Sequence, residues 1–273
     1  MTSSISHSVR LPAVAGRFYA DDPQTLLSQL QQAFQMAKLQ APACPKVIVA
    51  PHAGYIYSGA VAASAYQLLK NCPQNISRVV VLSPAHRYGF HGIACSDADY
   101  FRTPLGDIPV DQESLQQLIA EKHIFLLEQA FDGEHALEVH LPFLQSCLAE
   151  FSLIPLIVGQ TATEKVARLI DALWGDKDTL IVISSDLSHF HDYQTAGRID
   201  RTTANMIEKL DYALLSSERA CGVFPLRGLL QSLQNRQLQI RNIDLRNSGD
   251  SAGSKDSVVG YGAFIVEENH YAG

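Results

Sequence analysis

Three short β-branched runs in the sequence each end in a polar loop that carries histidine. Lys46 to Ala50 (KVIVA) runs into Pro51-His52-Ala53-Gly54-Tyr55, and Arg78 to Leu82 (RVVVL) runs into Ser83-Pro84-Ala85-His86-Arg87. Thr179 to Ser184 (TLIVIS) runs into Ser185-Asp186-Leu187-Ser188-His189-Phe190-His191. Imidazole exchanges protons near neutrality and also ligates transition metals. Any one of these histidines alone is best read as bonded to its own loop. Three at matching positions point to a shared pocket, because open α/β sheets bind ligands beyond the carboxyl ends of their strands.

A fourth cluster is Glu134-His135-Ala136-Leu137-Glu138-Val139-His140. If it is helical, His135 and Glu138 share a face, as do Glu134 and Glu138. Metalloprotease patterns fail here: HExxH is absent, and Val139 stands where HxxEH requires its second histidine. The carboxylates fit a helix N-terminal cap and a pocket wall equally well. Cys221, in Ala220-Cys221-Gly222, reads on its own as a buried thiol. Asn247-Ser248-Gly249-Asp250-Ser251-Ala252-Gly253 is a turn-rich loop that lacks the GxxxxGK[ST] pattern of a phosphate loop. No GxSxG elbow and no GxGxxG fingerprint occurs, which removes support for a serine hydrolase or a dinucleotide dehydrogenase.

The elements that must position these groups alternate along the chain. KVIVA, RVVVL and TLIVIS are continuous apolar runs, as expected for central strands covered on both faces. Leu153 to Val158 and Val258 to Val266 are further strands on the same pattern. Pro23 to Leu39 reads as a helix, with Leu26, Leu27, Leu30 and Phe34 at helical spacing and Asp22 before Pro23 as its start. Asp111 to Ile119, Thr163 to Trp174 and Gly197 to Leu210 read as helices too. Alternation of this kind predicts an α/β fold with a central mixed or mostly parallel sheet flanked by helices. With no repeat, low-complexity tract or long linker, one domain is expected across the 273 residues.

Composition narrows the function classes. Hydrophobic residues make up 47% and charged residues 18%, enough apolar content for a substantial core. The balance of 21 basic to 28 acidic residues, with no basic run, argues against a nucleic-acid partner. Apolar runs fall far short of the roughly 20 residues that a membrane-spanning helix needs, and the N-terminus lacks a secretory pattern. Cytoplasmic location is therefore the expectation, with no membrane partner. The five cysteines (Cys44, Cys72, Cys95, Cys147, Cys221) are scattered without a CxxC pair, a pattern expected of neither a disulfide framework nor a zinc ribbon.

Taken in order, the segments RLPAVAGRFY (Arg10 to Tyr19), APHAGYIYSG, LSPAHR, EHALEVHLPFL, ISSDLSHF, ACG at Cys221, and NSGD followed by VVGYGAF resemble the Memo family. The resemblance spans Arg10 to Val266 and implies a single Memo-like α/β domain over residues 1–273, with a core of about 10–266 and a class III extradiol dioxygenase-like fold. It further implies a metal triad of His52, His86 and Cys221. In the dioxygenases the corresponding set is two histidines and a glutamate holding Fe(II). A thiolate keeps the formal charge but is a softer donor, so copper and zinc stand beside Fe(II) as expected metals. The same resemblance implies AMMECR-type and radical-SAM partner proteins in bacteria, and a phosphotyrosine-peptide signalling role in animals.

Three functions fit these residues. One is a metal-dependent redox or oxygenase-like enzyme, in which His189, with Asp186 and His140, forms an acid–base group beside the metal or supports its ligands. The second is a non-enzymatic binding protein that holds a small molecule or peptide in a vestigial, metal-free cleft. The third is a metal-dependent hydrolase.

Overall fold

The computed structural model describes residues 7–39, 44–72 and 75–268. In chain order the strands are β1 (Val9–Arg10), β2 (Val47–Ala50), β3 (Arg78–Pro84), β4 (Ile93–Cys95), β5 (Tyr100–Thr103), β6 (Gly106–Pro109), β7 (Phe125–Leu126), β8 (Ser152–Val158), β9 (Thr179–Ser184), β10 (His189–His191), β11 (Ile240–Asn247) and β12 (Val258–Val266). The α-helices are α1 (Pro23–Met36), α2 (Tyr55–Tyr66), α3 (Gln112–Ala120), α4 (Leu141–Cys147), α5 (Thr163–Leu173), α6 (Tyr193–Glu208) and α7 (Val223–Arg236).

The main sheet has the order β10-β12-β2-β9-β3-β8-β4-β7, with β11 also paired to β12. Its centre, β2-β9-β3-β8, is parallel, and β12 and β4 close it antiparallel on either side, so the expected mixed α/β sheet is the one observed. All residues of β2 and β9 are buried, as their unbroken apolar sequence requires of strands covered on both faces. Helix α2 packs over β2, β11 and β12, and α7 packs over β3 and β9. A second, three-stranded sheet, β1-β5-β6, lies apart from this path.

Register is what matters for function. Ala50 pairs with Ser184 and Leu82 with Ile183, so β2, β9 and β3 end level with one another. The loops carrying His52, His86 and Asp186 to His189 therefore leave from the same edge of the sheet.

Helix α1 begins at Pro23 with Asp22 accepting from the Thr25 N–H at 2.8 Å, as the sequence predicts. Helix α6 starts four residues earlier than the Gly197 expected, because Asp192 caps it through the Gln194 and Thr195 N–H groups. Helices α2 and α7 were not legible. Residues of α2 are buried on nearly every side, so no polar stripe betrays its period. Helix α7 contains Gly228, where a Cβ would lie 2.3 Å from Val166 Cγ1, so glycine lets α5 and α7 approach closely.

The expectation that the cysteines form no disulfide is corrected for one pair: Cys44 and Cys72 are joined, with Cα atoms 4.9 Å apart. Their separation of 28 residues carries no local signature, and the fold alone brings the start of β2 beside the end of the α2 region. The cytoplasmic expectation thereby loses the support it drew from cysteine usage. Among the described residues no helix is long and apolar enough to cross a membrane. Closing a loop of this length removes about 3–4 kcal/mol of unfolded-state entropy. Urea unfolding with and without reductant should show a loss of about that size; coincident curves would show that the link contributes nothing.

Candidate metal centre

At the level ends of β2 and β3, the imidazoles of His52, His86 and His135 converge, each with a donor atom within 4.8 Å of the others. The ring centroids are 5.0 Å apart for His52 and His86, 5.4 Å for His52 and His135, and 4.9 Å for His86 and His135. His52 is buried at the base while the His86 side chain is 27% exposed, so the cluster opens to solvent on the His86 side.

Two of the three imidazoles are held through a ring nitrogen by a specific neighbour, His86 by Glu134 and His52 by Ser184. Glu134 accepts from the His86 backbone N–H at 2.6 Å and lies 3.0 Å from His86 Nδ1. It also accepts from the N–H groups of His135 and Ala136. Burial alone would raise the Glu134 pKa, but hydrogen bonds from His135 and His86 outweigh it and hold the carboxyl well below the usual range. An ionised Glu134 only accepts, so His86 Nδ1–H is the donor in that contact and Nε2 is the ring nitrogen left to meet a ligand. His52 is tied through Nδ1 to Ser184 Oγ at 2.6 Å, and its backbone N–H donates to Asp186 Oδ1 at 2.8 Å. Burial, followed by the neighbouring imidazoles, pushes its pKa well below the ordinary value, which keeps the ring neutral.

Cys221 Sγ lies 3.2 Å from His52 Nε2 and accepts from the Asp186 N–H at 3.2 Å. Metal–nitrogen and metal–sulfur bonds of about 2.0 and 2.3 Å can span such a separation through one shared ion. Burial first, and Asp186 second, push the thiol's pKa up, so without a metal it stays protonated. The set of mutually close donors nonetheless comprises the three histidines and does not include Cys221. The donor chemistry fits a transition metal: three imidazoles, two of them with one ring nitrogen anchored, and a thiol beside one of these.

Asp186 joins two loops of the site. Its carboxylate and amide tie the β2 loop to the Cys221 loop, and burial raises its pKa. His140 is buried and touches Tyr66 OH and Ser184 Oγ rather than solvent. His189 begins β10 and bears electrostatically on Asp186, but among the described residues it is not part of the imidazole cluster.

His135 was not among the expected metal residues. Its segment is not a regular α-helix; Glu138–His140 is a single 3₁₀ turn leading into α4. Glu134 works on the histidines while Glu138 accepts from the Ala13 and Val14 N–H groups and from Tyr19 OH, fastening the N-terminal segment. That segment in turn lays Phe18 on His135, with centroids 4.7 Å apart. The one available signal was a histidine beside a glutamate in a histidine-rich segment.

Gly222 packs against the strand end. A Cβ there would lie 2.4 Å from the Ser184 carbonyl oxygen and 2.7 Å from Ser185 Cβ. Gly222→Ala should cost about 1–3 kcal/mol through overpacking and displace Cys221. Chemical denaturation and metal titration on the same variant would check both, and an unaffected protein would show that the loop yields freely.

The α/β sheet thus brings three histidines together at level strand ends, a cluster whose donors could hold a metal ion. The chain belongs to the Memo family: the Memo-like protein family model matches residues 10–265. It is 32% identical over 277 residues to a MEMO1 family protein of Saccharolobus solfataricus, covering 92% of this chain and 97% of that one. Over 281 residues it is 33% identical to a MEMO1 family protein of Sulfolobus acidocaldarius, covering 93% and 97%.

Proposed function

We propose that this protein binds one transition-metal ion at His52, His86 and Cys221, with His135 completing the donor set, and uses it in redox or oxygenase-like chemistry on a small molecule. The observation that carries this reading is the convergence of three imidazole donors within 4.8 Å, with the Cys221 thiol 3.2 Å from one of them. Fe(II) is the metal proposed, on the likeness to the dioxygenase triad, with copper and zinc as alternatives because mixed imidazole and thiolate donors accept all three.

When bound, the ion supplies Lewis acidity and, for iron or copper, one-electron redox chemistry. The chain's own groups do the rest. Glu134 and Ser184 aim His86 and His52. The open His86 side admits a ligand. Asp186 holds the His52 and Cys221 loops together, and His189, at the same strand edge, is proposed to exchange protons with the bound ligand. His140, sealed from solvent, supports His52 rather than meeting a substrate.

Elemental analysis after anaerobic purification tests the reading. About one iron per chain is expected. Zinc in its place would favour a hydrolase, and no metal would favour a binding protein that reuses the cleft.

A further inference from the structure

Ser184, the last residue of β9, is fully buried and makes more contacts than one hydroxyl can donate to. Its Oγ lies 2.7 Å from the Ala136 carbonyl oxygen, 2.6 Å from His52 Nδ1 and 2.8 Å from His140 Nε2. A hydroxyl has one proton and two lone pairs. The carbonyl can only accept. If the proton pointed to either imidazole, two oxygens would face each other at 2.7 Å with nothing between them. The proton therefore goes to Ala136, and both imidazoles donate to Ser184.

We infer that Ser184 is a positioning residue that locks His52 as its Nδ1–H tautomer, leaving the Nε2 lone pair bare and turned toward Cys221. The same count fixes His140 as Nε2–H. Its Nδ1 is then an acceptor, and Tyr66 OH, 2.9 Å away, donates to it. The result is a directed chain in which Tyr66 donates to His140, His140 to Ser184, and Ser184 to Ala136, with His52 joining at the serine. A metal needs a bare imidazole nitrogen, and outer hydrogen bonds that select the tautomer strengthen the ligand. Neither Ser184 nor Tyr66 has a sequence feature that marks it for this task.

The inference rests on the metal reading only for its consequence. The tautomer is a property of the metal-free protein and can be measured there. Nitrogen-15 NMR of the histidine side chains in chelator-treated wild type should show His52 protonated at Nδ1 and His140 protonated at Nε2. A His52 ring protonated at Nε2 would overturn the inference whatever the protein does with metals, and it requires no variant to fold. In Ser184→Ala, His52 should populate the Nε2–H form and Fe(II) affinity should fall about 10–100-fold. Ser184→Thr, which keeps the hydroxyl, should restore both. An alanine variant that retains the Nδ1–H tautomer with wild-type affinity would also overturn it. If wild type shows the expected tautomer yet binds no Fe(II), copper or zinc, the metal proposal fails while the role of Ser184 in orienting His52 stands.

Discussion

Cys221→Ser is expected to fold normally and to lose transition-metal affinity by more than about 100-fold, beyond the roughly 10–100-fold that loss of an outer hydrogen-bond partner costs. The volume change is small, and the backbone N–H of Cys221 still donates to the Asp186 carbonyl at 3.3 Å, so the loop keeps its anchor. What disappears is the sulfur 3.2 Å from His52 Nε2. A serine hydroxyl does not ionise near neutrality and is a poor donor to soft ions. His135→Gln separates the two sources of a third donor: a loss there with none in Cys221→Ser would mean that the imidazoles alone hold the ion. Isothermal titration of Fe(II), Cu(I) and Zn(II) into wild type and both variants decides, and equal affinity in wild type and Cys221→Ser would remove the cysteine from the site.

Metal-free protein should lose stability steeply as pH falls from about 6.5 toward 3. Burial first, and His135 second, push the His140 pKa down to about 3, whereas an unfolded histidine titrates near 6.5. Between those values the unfolded chain binds a proton that the folded protein refuses. Stability therefore rises with pH across the window, by about 1.4 kcal/mol per unit for each such proton. His52, lowered by the same burial, adds to the slope in the same direction. Above about 6.5 both residues are neutral in both states and contribute no slope. Urea unfolding at steps from pH 7 to pH 4 should give a flatter dependence in His140→Gln, by about one proton. Parallel slopes in the two proteins would place the acid sensitivity elsewhere.

The parts of the site that were legible in sequence are those tied to strand ends. KVIVA, RVVVL and TLIVIS announce central strands because an unbroken apolar run tolerates no solvent-facing side, and their loops carry His52, His86 and Asp186. That the three strands lie side by side in the order β2-β9-β3 is tertiary information, as is the level register that aligns the loops. His135 escaped notice because it hangs from no strand; Glu134 reaches 48 residues back in the chain to His86 and draws the segment in. Ser184 looked like the end of an apolar strand, and only the approach of Ala136 and His140 gives its hydroxyl a function. Tyr66 closes α2, a helix hidden by its own uniform burial. The Cys44–Cys72 link depends on two positions 28 residues apart and has no local mark.

X-ray absorption spectroscopy of the Fe(II)-loaded protein tests the central claim most directly, because it reads the atoms around the ion. The expected spectrum shows imidazole scattering from more than one histidine together with one sulfur near the roughly 2.3 Å of a metal–thiolate bond. A spectrum lacking either imidazole or sulfur in the inner shell would contradict a metal centre built on His52, His86 and Cys221.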